Sequence, residues 1–161
     1  MPNYIMDLRR LVGHRPLLMP AASVILEDGD GRVLLQLRAD NGLWCYHGGA
    51  VELDEVVEDA ARRELREETG LESESLELLG IYSGPELHFC YPNGDEVSVI
   101  DHVYRCRNWH GSLRAQEEEV SRLRWFRWDE LPEDLMPSAR PALRDWLALK
   151  RREPDGPCSG D

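Results

Sequence analysis

Apolar and polar positions along the chain change their spacing several times, and each change marks an element. Tyr4 to Leu11 gathers its apolar residues on one face of a short helix that stops at Gly13, with Pro16 beyond it. Val24–Leu26 and Val33–Leu37 are extended runs separated by Asp28-Gly29-Asp30-Gly31, a composition that predicts a hairpin. From Asp54 to Gly70 the period becomes helical. Beyond that helix, "ELHFCYPNGDEVSVIDHVYRCR" sets Pro92-Asn93-Gly94-Asp95 between two extended runs and predicts a second hairpin. Arg107 to Glu119 is polar and reads as a surface loop. "RLRWFRWDELP" then alternates as a strand, with Arg122 and Arg124 on the face of Phe126 and Trp128, and Pro141 to Lys150 reads as a closing helix with proline near its first turn. Strands interrupted by one helix in mid-chain and another at the end predict an α/β fold, a mixed sheet sandwiched between helices. Residues 1–16 read as a helical extension, 17–150 as the domain and 151–161 as a frayed tail.

The mid-chain helix carries an anomaly. At about 100° per residue, Val57, Ala60, Ala61 and Leu65 share one sector, with Glu55, Glu58, Asp59, Arg62 and Arg66 opposite. Asp54 has the chemistry of an N-cap and Gly70 that of a left-handed ending. Yet Glu64 and Glu68 continue the apolar stripe, and Glu67 lies at its edge. Unpaired carboxylates against a low-dielectric surface are costly. Three readings compete: a solvated helix end, ion pairs such as Arg63 with Glu67, or a divalent cation shared by the acids. Gly48-Gly49, just upstream, allows close backbone approach and a carbonyl ligand, which favours the cation.

Gly49, five residues, Glu55, seven residues, then Arg63-Glu64-Leu65-x-Glu67-Glu68-x-Gly70-Leu71 matches every fixed position of the Nudix box. The chain therefore resembles the Nudix hydrolases, MutT-like, over roughly Leu17 to Leu147. The resemblance implies the Nudix fold and cleavage of the pyrophosphate of a nucleoside diphosphate linked to another moiety. That substrate is a nucleotide sugar such as ADP-ribose, or a nucleoside triphosphate; the cofactor is Mg2+ or Mn2+. It also implies a metal set of Gly49, Glu64, Glu67, Glu68 and Glu119. Arg63 orients or pairs with a box glutamate, and Glu55 supports the site or its loop. The general base is a box glutamate such as Glu64 or one of Glu117, Glu118 and Glu119, with Glu119 best fitting the family spacing. Arg38 is a phosphate candidate. Pro85, after Gly70, resembles the downstream proline of the ADP-ribose pyrophosphatase branch, and Tyr82, His88, Tyr91 and Trp109 are stacking candidates. Two positions depart from the common pattern: His47 stands where many members have Pro, and Asp54 where many have Gly. A catalytically silent sensor of a nucleotide metabolite is the alternative, which the intact set of Glu64, Glu67 and Glu68 opposes.

Composition narrows the rest. The chain has 161 residues, 42% hydrophobic, which suits one domain with a sizeable core. A net charge of -12 argues against broad nucleic-acid binding. No long apolar run predicts a membrane span or a signal peptide, so the expected setting is cytoplasmic, with a homodimer as an open association state. Cys45, Cys90, Cys106 and Cys158 have no metal-finger spacing and read as free thiols.

Overall fold

The computed structural model describes residues 3–153. Helix α1 (Tyr4–Val12) leads into β1 (Leu17–Leu26), β2 (Val33–Arg38), β3 (Trp44–Cys45) and β4 (His47–Ala50). Helix α2 (Val57–Thr69) follows, then β5 (Leu71–Tyr82), a 3-10 turn at Pro85–Leu87, β6 (His88–Cys90), β7 (Glu96–Gly111), β8 (Val120–Phe126), a second 3-10 turn at Pro137–Ala139 and α3 (Arg140–Arg152).

The strands divide over two sheets. One is mixed, in the order β4-β1-β7-β5 with β6 also on β7; the other is antiparallel, in the order β3-β2-β8. This arrangement corrects the first hairpin. Its strands and turn exist, but β1 is bonded on one edge to β4 and on the other, in parallel, to β7, so no edge remains for β2. Only Glu27 and Val33 bridge before the two runs part. The sequence carries the reason: Ala21–Leu26 and Val33–Gln36 are buried without alternation, as strands covered on both faces are.

Helices cover the two faces. Ala60, Ala61 and Leu65 of α2 pack on Ala22, Val24, Leu26 and Leu34; Ala142, Leu143 and Trp146 of α3 pack on Ile25, Val33, Leu35 and Val103. The α/β/α expectation is met, with two sheets in the middle layer. The second hairpin also forms, β6 against β7 around a turn in which Gly94 takes φ 91°. Strand β7 runs on to Gly111 along β5, so Arg107–Gly111 is strand where a loop was expected; its partner β5 supplies the backbone pairing that polar side chains do not signal.

The C-terminal end also differs from expectation. Arg151 and Arg152 complete α3, and Glu153 bonds to Arg105, so the chain stays ordered beyond Lys150; residues 154–161, with Cys158, lie outside the described residues. Among the described residues Cys45, Cys90 and Cys106 are free thiols. The N-terminal extension forms the expected helix up to Gly13 and is tied to the rest of the chain at two places. Buried Arg9 donates to the carbonyls of Gly13, Arg15 and Glu96, and the Tyr4 N–H donates to Glu52 at 3.1 Å.

Candidate active site

The acidic cleft is built where α2 crosses the edge strand β4. Its approach differs from expectation at Asp54, which does not cap the helix: Val56 occupies the N-cap without a side-chain bond, and Asp54 takes φ 61° in the turn before it. Aspartate is among the few residues that tolerate this left-handed geometry, which explains its use where glycine is common. The turn is closed by Glu55, whose N–H donates to Glu52 O and whose Oε1 accepts from Glu52 N–H, both at 3.1 Å. At the other end, Gly70 is left-handed at φ 76° and its N–H caps Arg66 O.

Arg63 braces the loop to the helix. Its guanidinium donates to both Glu55 oxygens at 2.8 and 2.9 Å, to Glu64 Oε1 at 2.8 Å and to Ala50 O at 3.1 Å, with Glu67 at 3.4 Å. Glu55 is thereby held below the usual carboxylate range, the Arg63 bonds outweighing a small burial penalty. Arg63 is thus a bidentate clamp, a task for which the planar fork suits arginine and not lysine.

Glu64 and Glu68 turn inward. Glu64 lies against Gly49, and Glu68, 4% exposed, accepts from the Gly48 N–H at 3.1 Å. Burial first, and then the neighbouring Glu68 charge, push the Glu64 carboxyl up to about 7 despite Arg63. Glu67 is more exposed, at the outer side of the cluster. Glu119 stands at the rim, where its loop returns to α2: Gln116 N–H reaches Glu68 O at 3.4 Å and Ala39 N–H donates to Glu119 O at 3.0 Å. Dehydration, and then the charge of Glu68, hold the Glu119 carboxyl above its ordinary range, with Arg38 opposing. Four predicted acids therefore share one electrostatic neighbourhood.

Among the described residues, no three Asp, Glu, His or Cys side chains converge into a coordination shell by themselves. Glu64 is drawn towards Arg63 and Glu68 towards the Gly48 N–H. The donor set nonetheless fits a hard divalent cation. Its ligand atoms are carboxylate oxygens, and the like-charge crowding that raises Glu64 is the strain a cation relieves.

His47 is fully buried beneath the acids, its Nε2 3.2 Å from Leu34 O and its Nδ1 3.3 Å from Gln36 Oε1 and 3.5 Å from Glu68 Oε2. It supports Glu68 from below and does not face the cleft opening. Arg38 is gripped by Asp40, which accepts from Nε at 2.9 Å and from Nη2 at 2.7 Å; Nη1 makes no hydrogen bond among the described residues. Asp40 was not legible as a site residue, although its position two residues after Arg38 is a detectable signal. It also lines a cavity of about 300 Å³ with Asn41, Leu43, Glu86, Phe89 and Met136, whose lining holds no Lys or Arg among the described residues. Pro85 starts the 3-10 turn that brings Glu86 and His88 to this cavity without lining it. Of the aromatic candidates, His88 lines it; Trp109 stacks on Trp125 at 5.7 Å and donates to Glu27 O, and Tyr82 donates to Asp145. Arg122 and Arg124 are exposed, Arg124 lying over the Phe126 ring at 4.9 Å, as a solvated face requires.

An α/β sandwich whose loop–helix crossing presents arginine-braced carboxylates to an edge strand has a donor set that suits a hard cation. Residues 17–147 match the NUDIX domain, and the chain belongs to the Nudix family. It is 36% identical over 112 residues to the MutT-like protein of Streptomyces ambofaciens, covering 70% of this chain and 65% of that one. It is 40% identical over 101 residues to the ADP-ribose pyrophosphatase of Methanocaldococcus jannaschii, covering 60% and 57%. The chain thus spans less than two thirds of the length of these relatives. The crystal structure of the MutT NUDIX hydrolase from Burkholderia pseudomallei superposes with a TM-score of 0.68 at 29% identity, covering 80% of this chain and 98% of that one. No helix among the described residues is long and apolar enough to cross a membrane.

Proposed function

We propose that this chain is a divalent-metal-dependent pyrophosphohydrolase acting on a nucleoside diphosphate linked to another moiety, either a nucleotide sugar such as ADP-ribose or a nucleoside triphosphate. The observation that carries this reading is the crowding of Glu64 by Glu68 within a frame that Arg63, Gly48 and Gly49 hold rigid. A silent binder gains nothing from that expense.

Gly49, Glu64, Glu67, Glu68 and Glu119 would hold Mg2+ or Mn2+, which when bound neutralises phosphate charge and acidifies water. Arg63 fixes the loop and Glu64 relative to one another. Arg38, whose charge is felt at Glu119, takes a phosphate oxygen, and Asp40 keeps its guanidinium in plane. The neighbouring cavity, apolar and without a cation, suits the uncharged nucleoside better than a second phosphate. Glu119 at the rim accepts the proton of the attacking water as its oxygen bonds to phosphorus and the bridging oxygen leaves with the bond electrons; Glu64 is the other group able to take that proton.

Turnover of nucleotide sugars, dinucleoside polyphosphates, nucleotide cofactors and nucleoside triphosphates, each with Mg2+ or Mn2+ and read as released phosphate species, tests the reading. Metal-dependent release of a nucleoside monophosphate from at least one class is expected. Binding without turnover in every class would identify the chain as a nucleotide sensor instead.

A further inference from the structure

A buried carboxylate that takes no part in the scheme above lies behind the glycine strand. Asp101 on β7 is 6% exposed and accepts from Ser23 Oγ at 2.7 Å and from Tyr46 OH at 3.1 Å. Neither partner is cationic, and an acid buried on hydroxyls alone is an expensive way to fill space. Both partners, however, act on the same stretch of chain. Tyr46 is the single residue between β3, in one sheet, and β4, in the other, so its hydroxyl pins the point where the chain crosses between sheets. Ser23 lies in register with Gly48, so closely that a β-carbon at Gly48 would sit 2.1 Å from Ser23 Oγ. On its other side Gly48 donates its N–H to Glu68.

The geometry points to Asp101 as a positioning residue for the metal site: through Ser23 and Tyr46 it sets the depth of the Tyr46–Gly49 segment and thereby the place of Gly48 N–H against Glu68. This inference rests on the hydrolase reading, because it concerns the ligand set assigned there. Asp101 touches neither cation nor substrate; it acts behind them through Ser23 and Tyr46, as groups behind metal ligands do, where removal typically costs about 10- to 100-fold in affinity.

The test is Mn2+ binding to the metal-free protein, measured by electron paramagnetic resonance, with thermal melting as the check on folding. Tyr46→Phe, Ser23→Ala and Asp101→Leu should each weaken Mn2+ about tenfold or more. Asp101→Asn, which can still accept from Ser23 and donate to Tyr46, should restore binding to within about threefold of wild type. A merely structural role would not produce the second signature: in a Glu68→Gln background, Tyr46→Phe should weaken Mn2+ little further, because its effect passes through Glu68. Unchanged affinity in the folded single variants, or additive losses in that background, would overturn the inference and leave the hydrolase reading standing. Should Asp101→Leu fail to fold, the two hydroxyl deletions carry the same test. A wild type that binds no Mn2+ would remove both.

Discussion

The α-carbon of Gly49 faces Glu64 so closely that a β-carbon there would lie 2.5 Å from Glu64 Cδ. The glycine is required by this contact and not by its own backbone, which is not left-handed. The prediction is specific to glycine. Gly49→Ala should displace the Glu64 carboxylate while leaving the strand intact, lowering the turnover number by about a hundredfold, the usual cost of a misplacement near 1 Å. The melting temperature should move by no more than a few degrees, since the crowded atoms are the far end of a flexible side chain, which can swing aside. Wild-type turnover would mean that Glu64 does not work from the place it occupies against Gly49.

Charge removal at the paired acids should be equally severe. Glu64→Gln and Glu68→Gln keep shape but delete a charged oxygen, and each should lower turnover at saturating metal by at least about a hundredfold, or roughly 2.7 kcal/mol of transition-state stabilisation. Near-normal rates in both would return the acids to a solvated helix end. Chelation by EDTA should abolish activity and re-addition of Mg2+ or Mn2+ should restore it; activity that survives chelation would remove the metal from the mechanism.

Legibility in the sequence followed the range of the interaction. The acids of α2 were readable because their anomaly is local, a charge on an apolar stripe, and the box spacing gave it meaning. Arg63 is readable as a partner of box glutamates, but its two bonds to Glu55 are not, because helical spacing puts Glu55 on the far side of a helix that in fact begins after it. The strands were legible and their pairing was not. An uninterrupted apolar run says that both faces are covered; it does not say which strand lies beside it. Asp101 had no signal at all, since one acid in an extended run looks like a solvent-facing residue until β1 and the β3–β4 crossing close over it.

A second long-range pair makes the fold acid-sensitive. Buried Glu27, beside the first turn, accepts from Arg105 and from Lys150 at 2.9 Å, and Glu153 accepts from Arg105 at 2.9 Å. Burial opposes ionisation of Glu27, but the bonds from Arg105 and Lys150 prevail and hold it below its ordinary 4.5; Glu153 is drawn down to about 2, chiefly by Arg105. For acids with depressed folded-state values, the stabilisation is complete above about pH 4.5 and is lost as pH falls through the folded value. The advantage of wild type over Glu27→Gln in urea melts should therefore be constant near neutrality and shrink as pH falls below about 4.5. Arg105→Leu, which strips Glu27 of its main partner, should cost about 3 kcal/mol at pH 7, the low end for a broken buried pair because Lys150 remains. An advantage that grew towards low pH would contradict the assignment.

The triple glutamate separates base from bystander. Glu119 feels dehydration together with the charges of Glu68, Glu67 and Arg38, and its backbone carbonyl is fixed by Ala39 N–H. If Glu119 takes the proton of the attacking water, Glu119→Gln should depress the turnover number at neutral pH with little change in KM, because the lost interaction belongs to the transition state. Raising Mg2+ should not restore it. If Glu119 chiefly holds the cation, the same variant should recover much of its rate as Mg2+ rises, since mass action can refill a weakened site but cannot supply a missing base. Glu117→Gln should leave turnover nearly unchanged in either case. Turnover of the three Gln variants measured against Mg2+ concentration distinguishes these outcomes, and equal small effects in all three would pass the role of base to Glu64, the other group within the cleft whose carboxyl is pushed up towards neutrality.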